Sequence, residues 1–378
     1  MIEIHPDNPA GRSANDTPPG QPAFKVGVRR LTRRVMVGTV PVGGGAPVSV
    51  QTMTKTKTAD VDATVAQICE ASNAGCDIVR VTVNDKEAAD AIGKIVARSP
   101  IPVVADIHFN HVFALKAIEG NVAKVRLNPG NIGSRDRIQQ VLHAARDKGI
   151  PIRIGVNSGS LEEDILKKHG YPTAEALFES AMRHVEICDS FGFKDVIISV
   201  KSTDVSLMIE AYRLVAARTD IPLHVGVTEA GPTRSGTIKS AVGIGALLSE
   251  GIGDTIRVSL TDEPVKEVEV GKEILRSLGL ATRNVELIAC PTCGRLEVDL
   301  FGIMRELEKR LEGVRKPVKV AVLGCVVNGP GEAAEADIGI AAGKGVGILY
   351  RKGVVVRRVK ESEIVDVLVE EVNNFRPE

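Results

Sequence analysis

From residue 48 to about residue 260 the chain repeats one pattern. Short runs in which Val and Ile alternate with polar residues give way to longer stretches with apolar positions at helical spacing. The runs are PVSVQTM, DIVRVTV, PVVADIH, AKVRLNP, PIRIGVN, DVIISVK, PLHVGVT and TIRVSLT. Stretches such as DVDATVAQICEASNAG, SRDRIQQVLHAARDKG and TAEALFESAMRHVEICDSFG lie between them. Strands alternating with helices form parallel units, because each helix carries the chain back across the sheet. Eight units of this length match a (β/α)8 TIM barrel, an α/β fold, better than a doubly wound sheet. The run Gly43-Gly44-Gly45 precedes the first strand and opens no helix, so it predicts a hairpin turn and not a phosphate loop.

After about residue 281 the pattern changes. NVELIAC and VKVAVLGC read as strands, EVDLFGIMRELEKRLEG as a helix, ADIGIAAGKGVGILYRKGVVVRRV as glycine-broken strands and ESEIVDVLVEEVNNF as a closing helix. AGKGVG lacks the Lys-Ser/Thr ending of a phosphate loop and predicts a strand turn. The expected organisation is a disordered tail over 1–28, a barrel over 29–281 and a small α+β unit over 282–378.

Side chains alternate along a strand, so parity assigns each residue to the helix layer or to the lumen. The valines take the helix side. The lumen side then holds Arg80 and Thr82; Asp106 and His108; Lys124, Arg126 and Asn128; Arg153, Gly155 and Asn157; Ser199 and Lys201; His224 and Thr228; Thr255, Arg257 and Ser259. Arg80, Arg126, Arg153, Lys201 and Arg257 converge, with only Asp106 and Glu229 as nearby acids. An unpaired buried charge costs several kcal/mol. Such a lumen asks for a multiply charged anion, and guanidinium forks suit phosphate oxygens. The substrate class is therefore a small phosphorylated, or diphosphorylated, molecule. His108 and His224 read equally as hydrogen-bond donors and as satisfied core residues. His143, His169 and His184 read as surface or packing residues of helices.

Composition narrows the classes further. Basic and acidic residues balance at 48 each, and aromatics are only 3% with no Trp, which disfavours a nucleic-acid surface. No apolar run is long enough to span a bilayer. The first 24 residues lack the features of a signal or transit peptide, and six cysteines in this length fit a reducing compartment, so a cytoplasmic protein is expected. Cys69, Cys76 and Cys188 read as small buried hydrophobes of the barrel.

Cys290 and Cys293 form a Cys-x-x-Cys pair in CPTC, and Cys325 follows in GCVVNGPGE. Zinc would take a fourth Cys or a His, and no His occurs beyond residue 281. A redox dithiol would leave Cys325 without a role. A [4Fe–4S] cluster accepts three thiolates and another ligand. Glu332, past a tight turn Asn328-Gly329-Pro330-Gly331, is the best-placed oxygen, with Glu335 and Asp337 as competitors.

CPTC followed by GCVVNGPGE resembles the signature of the 4-hydroxy-3-methylbut-2-en-1-yl diphosphate synthase family. VQTMT, ADIHF, RLNPGNIG, PIRIGVNSGSLE, ESAMRHV, TEAGPTRSG and LLSEGIGDTIRVSL resemble that family in its order, from about residue 29 to 350. The resemblance implies a TIM barrel with a C-terminal domain similar to sulfite and nitrite reductase cluster domains. It implies a [4Fe–4S] cluster on Cys290, Cys293, Cys325 and Glu332. It places the diphosphate of 2-C-methyl-D-erythritol 2,4-cyclodiphosphate on Arg80, Arg126, Arg153, Lys201, Arg257 and Ser259, with Asn157 nearby. It further implies flavodoxin or ferredoxin as electron donor, and a head-to-tail homodimer in which one subunit's cluster domain caps the other's barrel. Glu332 would be the replaceable ligand, since carboxylate is held more weakly than thiolate. Glu229, at the end of the seventh strand, is the candidate proton donor. A redox-silent barrel transferase and a non-enzymatic iron–sulfur sensor are the rival readings.

Overall fold

A computed structural model describes residues 28–281, 285–325, 327 and 329–376. The expected tail lies, but for Val28, outside the described residues. The chain divides into two compact units, Met1–Leu280 and Ala281–Glu378.

The first unit opens with a hairpin of β1 (Val35–Val37) and β2 (Val40–Val42). Eight parallel strands follow: β3 (Ser49–Met53), β4 (Ile78–Thr82), β5 (Val103–Asp106), β6 (Lys124–Arg126), β7 (Ile152–Asn157), β8 (Val196–Lys201), β9 (His224–Val225) and β10 (Thr255–Ile256). Their order is β8-β7-β6-β5-β4-β3-β10-β9, and a parallel bridge from Ile198 to Leu223 joins the two ends. The sheet is thus the expected barrel. The intervening helices begin where short polar side chains accept an otherwise unpaired backbone N–H. Asp85 caps Ala88 at 2.7 Å, Thr173 caps Ala176 at 3.0 Å and Asp204 caps Leu207 at 2.9 Å. Each such cap contributes about 1 kcal/mol. Of the three barrel cysteines, Cys76 and Cys188 are buried as expected, whereas Cys69 is half-buried.

The glycine run is not the hairpin turn. The chain reverses at Gly38-Thr39, between VMV and VPV, and Gly43, Gly44 and Gly45 connect β2 onward toward β3. All three take left-handed φ values of 79°, 61° and 78°. A side chain on Gly43 would meet Arg33 O at 2.3 Å. The hairpin buries Val35, Val37 and Val42 against Ile78, Val104 and Ile197, which face inward at the N-terminal end of the barrel. It is an apolar plug.

Residues 29–34 clasp the same end. Asp254 is 2% exposed and accepts from Leu223 N at 2.8 Å, Thr32 Oγ1 at 3.1 Å and Arg29 Nη2 at 3.1 Å. Arg30 donates to Ile221 O at 2.6 Å.

The second unit is one sheet of β11 (Glu286–Ala289), β12 (Lys319–Leu323), β13 (Ile338–Gly343), β14 (Val346–Arg351) and β15 (Val354–Lys360), in that order. The first three are parallel and the rest antiparallel. Helices Leu300–Leu311 and Ile364–Asn374 bury Leu307, Leu311 and Leu368 against Val320, Val322, Ile340 and Leu349. AGKGVG is the β13–β14 turn, as expected. The turn expected at 328–331 is instead the start of a helix, Gly329–Ala334, while Asn328 lies outside the described residues. Proline suits a first helical turn because its missing N–H has no partner there to lose, and Glu332 is favoured near the positive end of the peptide dipoles. Among the described residues, no helix is long and apolar enough to cross a membrane.

Replacing Asp254 by Ala should strip a buried N–H and an arginine of their acceptor and cost about 3 kcal/mol. Denaturant unfolding should show this loss, with Asp254→Asn closer to wild type because its amide oxygen still accepts from Leu223 N. An unchanged midpoint for the alanine variant would show that the clasp contributes nothing.

Candidate functional site

Followed around the barrel, the strand registers sort the inward residues into layers of four from alternate strands. Nearest the plug lie Ile78, Lys124, Ile197 and Thr255. Above them come Gln51, Val104, Arg153 and His224, then Arg80, Arg126, Ser199 and Arg257. Met53, Asp106, Gly155 and Gly226 form the next layer, and Thr82, Asn128, Lys201 and Ser259 the one toward the strand C-termini. Asn157 is the last residue of β7. The structure therefore brings the five expected cations, Asn157 and Ser259 to one lumen.

It also adds a sixth cation. Lys124 is fully buried, and its Nζ reaches Gln51 Oε1 at 3.2 Å. Parity had placed it on this face, but its layer lies below the others. Burial, with Arg153 and Arg80 close by, holds the Lys124 ammonium well below the usual lysine range. Burial, then Arg153 and Arg257, does the same to Lys201. Burial, then Arg80 and Arg126, lowers Arg153, and burial, then Arg80, brings Arg257 to about 10.

Two carboxylates answer these charges. Asp106 lies 3.5 Å from Arg80 Nε and 3.3 Å from Arg126 Nη1. Burial pushes its pKa up, but Arg80, Arg126 and Arg153 outweigh that and hold it at about 2. The second is Glu267, not Glu229. Glu267 comes from the helix Pro264–Ser277, is 1% exposed, and lies 3.6 Å from Arg257 while accepting from Thr52 Oγ1 at 2.6 Å and Leu260 N at 3.0 Å. Its place in a helix hid it from strand parity. Glu229 is exposed at the end of the β9 segment and makes no ion pair among the described residues. Its φ of 50° is unusual for a residue with a side chain.

Several donors remain unanswered: Arg126 Nε, Arg153 Nε and Nη1, Arg257 Nε and Gln51 Nε2 have no partner among the described residues. His224 is fully buried with neither ring nitrogen bonded, so it is not a satisfied core histidine. His108 is exposed beside Phe109. Two glycines make room between the cation layers. A side chain on Gly155 would meet Arg126 Nε at 2.6 Å, and one on Gly226 would lie 3.0 Å from Lys201 Nζ and 2.2 Å from Arg257 O.

In the second unit Cys290 follows β11, Cys325 follows β12, and the adjacent parallel register sets these two strand ends side by side. Cys290 packs against the cluster that holds Leu323 and Ala333, the latter from the helix that carries Glu332. Cys293 and Glu332 are exposed. Arg295, unremarked in the sequence, donates to Cys293 Sγ at 3.4 Å and lowers its pKa through that bond. Its charge also interacts with Cys325. Among the described residues, no group of three or more His, Cys, Asp and Glu side chains is close enough to hold a metal ion. The structure thus gathers the segments that carry the cysteines and Glu332 without closing their side chains on one point.

Comparison with known proteins bears on both units. The GcpE TIM-barrel domain matches residues 32–272 and the GcpE protein C-terminal domain matches residues 286–374. A Clostridium perfringens protein is 57% identical over 341 residues, covering 90% of this chain and 98% of that one. A Geobacter sulfurreducens protein is 55% identical over 351 residues, covering 93% and 99%. Both are named 4-hydroxy-3-methylbut-2-en-1-yl diphosphate synthase (flavodoxin). Among solved structures, Yersinia pestis dihydropteroate synthase is similar at a TM-score of 0.46 and 12% identity, over 65% of this chain and 97% of that one. With both domains matched in order and relatives this similar over nine-tenths of its length, the chain belongs to the GcpE family.

Proposed function

We propose that the chain has the activity for which its relatives are named, 4-hydroxy-3-methylbut-2-en-1-yl diphosphate synthase. The reaction takes 2-C-methyl-D-erythritol 2,4-cyclodiphosphate, two electrons and two protons, and yields 4-hydroxy-3-methylbut-2-enyl diphosphate and water, on the route to isoprenoid precursors. The observation that carries this reading is the lumen itself. Six cations and a set of unbonded donors face two carboxylates, which is the environment a diphosphate would complete.

Arg80, Arg126, Arg153, Lys201 and Arg257 hold the diphosphate, with Ser259 and Asn157 bonding at the rim. Asp106 stays ionised and fixes Arg80 and Arg126 side by side. Glu267 holds Arg257 in place from the other side of the lumen's wall. Glu229, without such a partner among the described residues and set beyond β9 by a left-handed backbone, gives the proton that leaves with the departing oxygen.

The donor set of the second unit, three thiols and a carboxylate without histidine, fits a [4Fe–4S] cluster held by Cys290, Cys293, Cys325 and Glu332. When bound, the cluster supplies electrons singly together with a Lewis-acidic iron. Arg295 favours the thiolate of Cys293, the form that binds iron. The electron donor is flavodoxin, as in the names of the relatives, or ferredoxin. The working form is a cytoplasmic homodimer in which one subunit's cluster unit caps the other's barrel.

Three measurements test this. Protein purified without air should be brown and carry about four iron per chain, and Cys325→Ser should lose most of that iron; a colourless protein with stoichiometric zinc would overturn the cluster. Glu229→Gln should turn over about 100-fold more slowly or worse while still binding substrate; wild-type turnover removes Glu229 from proton transfer. Inorganic pyrophosphate should bind the barrel and take up protons. In the free lumen burial and neighbouring cations lower Lys124 and Lys201, and an anion restores their charge, so affinity falls as pH rises. Titration calorimetry in buffers of different ionisation enthalpy should reveal the uptake at a pH below the usual lysine range, once the ionisation of pyrophosphate itself is subtracted. Equal heats in all buffers would show that these lysines are fully charged before the anion arrives.

A further inference from the structure

The loops that border the lumen after β6 and β7 are tied to each other through one histidine. The first, Pro129–Asn131, directly follows Asn128. The second runs from Asn157 through Ser158–Ser160 to Glu162, at the start of the helix Glu163–His169. His184 belongs to neither. It lies in the helix Ala174–Ser190 and is 1% exposed. Its Nδ1 accepts the Gly130 N–H at 3.2 Å. Its Nε2 lies 3.1 Å from Glu162 Oε1, within ion-pair distance but not aligned as a hydrogen bond, and that oxygen accepts no hydrogen bond among the described residues. The other carboxylate oxygen accepts from Ser180 Oγ at 2.7 Å, and Ser180 is 2% exposed.

This arrangement fixes the protonation of the ring. A nitrogen that accepts an N–H carries a lone pair, so Nδ1 is bare and the proton of the neutral ring is on Nε2, facing Glu162. Burial pushes the Glu162 carboxyl up, but His184 and Ser180 outweigh that and hold it at about 2, so it is an acceptor at any working pH. The fit at the Gly130 end is close: a side chain on Gly130 would meet His184 Cε1 at 2.9 Å. Asn128 continues the tie into the lumen wall, accepting from Gly155 N at 2.8 Å and donating to Gly155 O at 3.2 Å. Gly155 O also receives Arg126 Nη2 at 2.8 Å.

We propose that His184 and Glu162 are positioning residues for the substrate, a buried pair that locks the β6 and β7 loops together and so sets Asn157 and Arg126 about the bound diphosphate. The inference rests on the anion site proposed above. Neither residue touches substrate. Their effect is to remove the freedom of two loops before the anion binds, so their loss should weaken binding more than turnover.

The test uses the full chain with its cluster reconstituted. His184→Ala should raise KM for the cyclic diphosphate and Kd for inorganic pyrophosphate about tenfold, with kcat within about threefold of wild type. Amide exchange should quicken at Gly130, whose N–H loses its acceptor. His184→Asn keeps an oxygen where Nδ1 was, so it should restore protection at Gly130 and part of the affinity; His184→Gln keeps a donor toward Glu162 and should not protect Gly130. The 15N spectrum of wild-type His184 should show a protonated Nε2 and a bare Nδ1. A proton on Nδ1, or faster exchange in the alanine variant with unchanged Kd and KM, would overturn the proposal. If the alanine variant fails to fold, the asparagine and glutamine variants and the 15N spectrum still decide it. Failure of pyrophosphate to bind the wild-type protein would instead overturn the anion site.

Discussion

Lys124, Arg153, Arg80 and Arg126 occupy consecutive layers of one barrel core, where they repel one another and have lost most of their water. A barrel interior is ordinarily filled by branched apolar side chains. Here that filling is confined to the end covered by the hairpin, where Ile78, Val104 and Ile197 meet Val35, Val37 and Val42. Higher up, charge replaces packing. Asp106 and Glu267 offset part of it, and the unbonded guanidinium donors show that the protein's own groups do not offset the rest. An anion that supplies those acceptors is stabilised by repulsion already present in the folded chain, which is how a site becomes prepared for a diphosphate before one arrives.

The lumen was legible because a strand has a period of two. Once the Val and Ile faces are assigned to the helix side, Arg80, Arg126, Arg153, Lys201, Arg257, Asn157 and Ser259 have nowhere else to point. Parity carries no depth, however. It could not say that Lys124 lies below Arg126, or that Arg153 and His224 share the layer between them. Nor does parity reach helices. Glu267 and His184 act on the site from the helix layer, and in sequence each is one polar residue on an amphipathic surface. Beside Asp106, strand order suggested Glu229 as the second acid of the lumen, and the second acid that pairs with an arginine is Glu267.

The errors in the connections have a similar origin. A glycine run and an Asn-Gly-Pro-Gly run both look like turns by composition. The first is a turn, closed by Ala46 N on Gly43 O at 3.1 Å, that leads out of the hairpin instead of closing it; the second is the opening turn of a helix that carries Ala333 of the cluster against which Cys290 packs. Local residue preference allowed both outcomes in each place, and packing chose. For the second, the choice bears on chemistry. A helix fixes the direction of Glu332 relative to Ala333, so the carboxylate sits on the exposed side of the same turn whose other side is anchored in the sheet.

The two ends of the barrel divide the work that a charged core imposes. At the plugged end, Asp254 gathers Leu223, Thr32 and Arg29, and Arg30 binds Ile221, so the segment before the hairpin is held by directed bonds as well as by apolar contact. At the other end, Gly155 and Gly226 withhold side chains at the level where Arg126, Lys201 and Arg257 must reach inward. Filling those two positions would add apolar contact and remove the space in which the cations lie. The core therefore forgoes packing in its upper layers, and its apolar packing is concentrated at the closed end, where the hairpin meets Ile78, Val104 and Ile197.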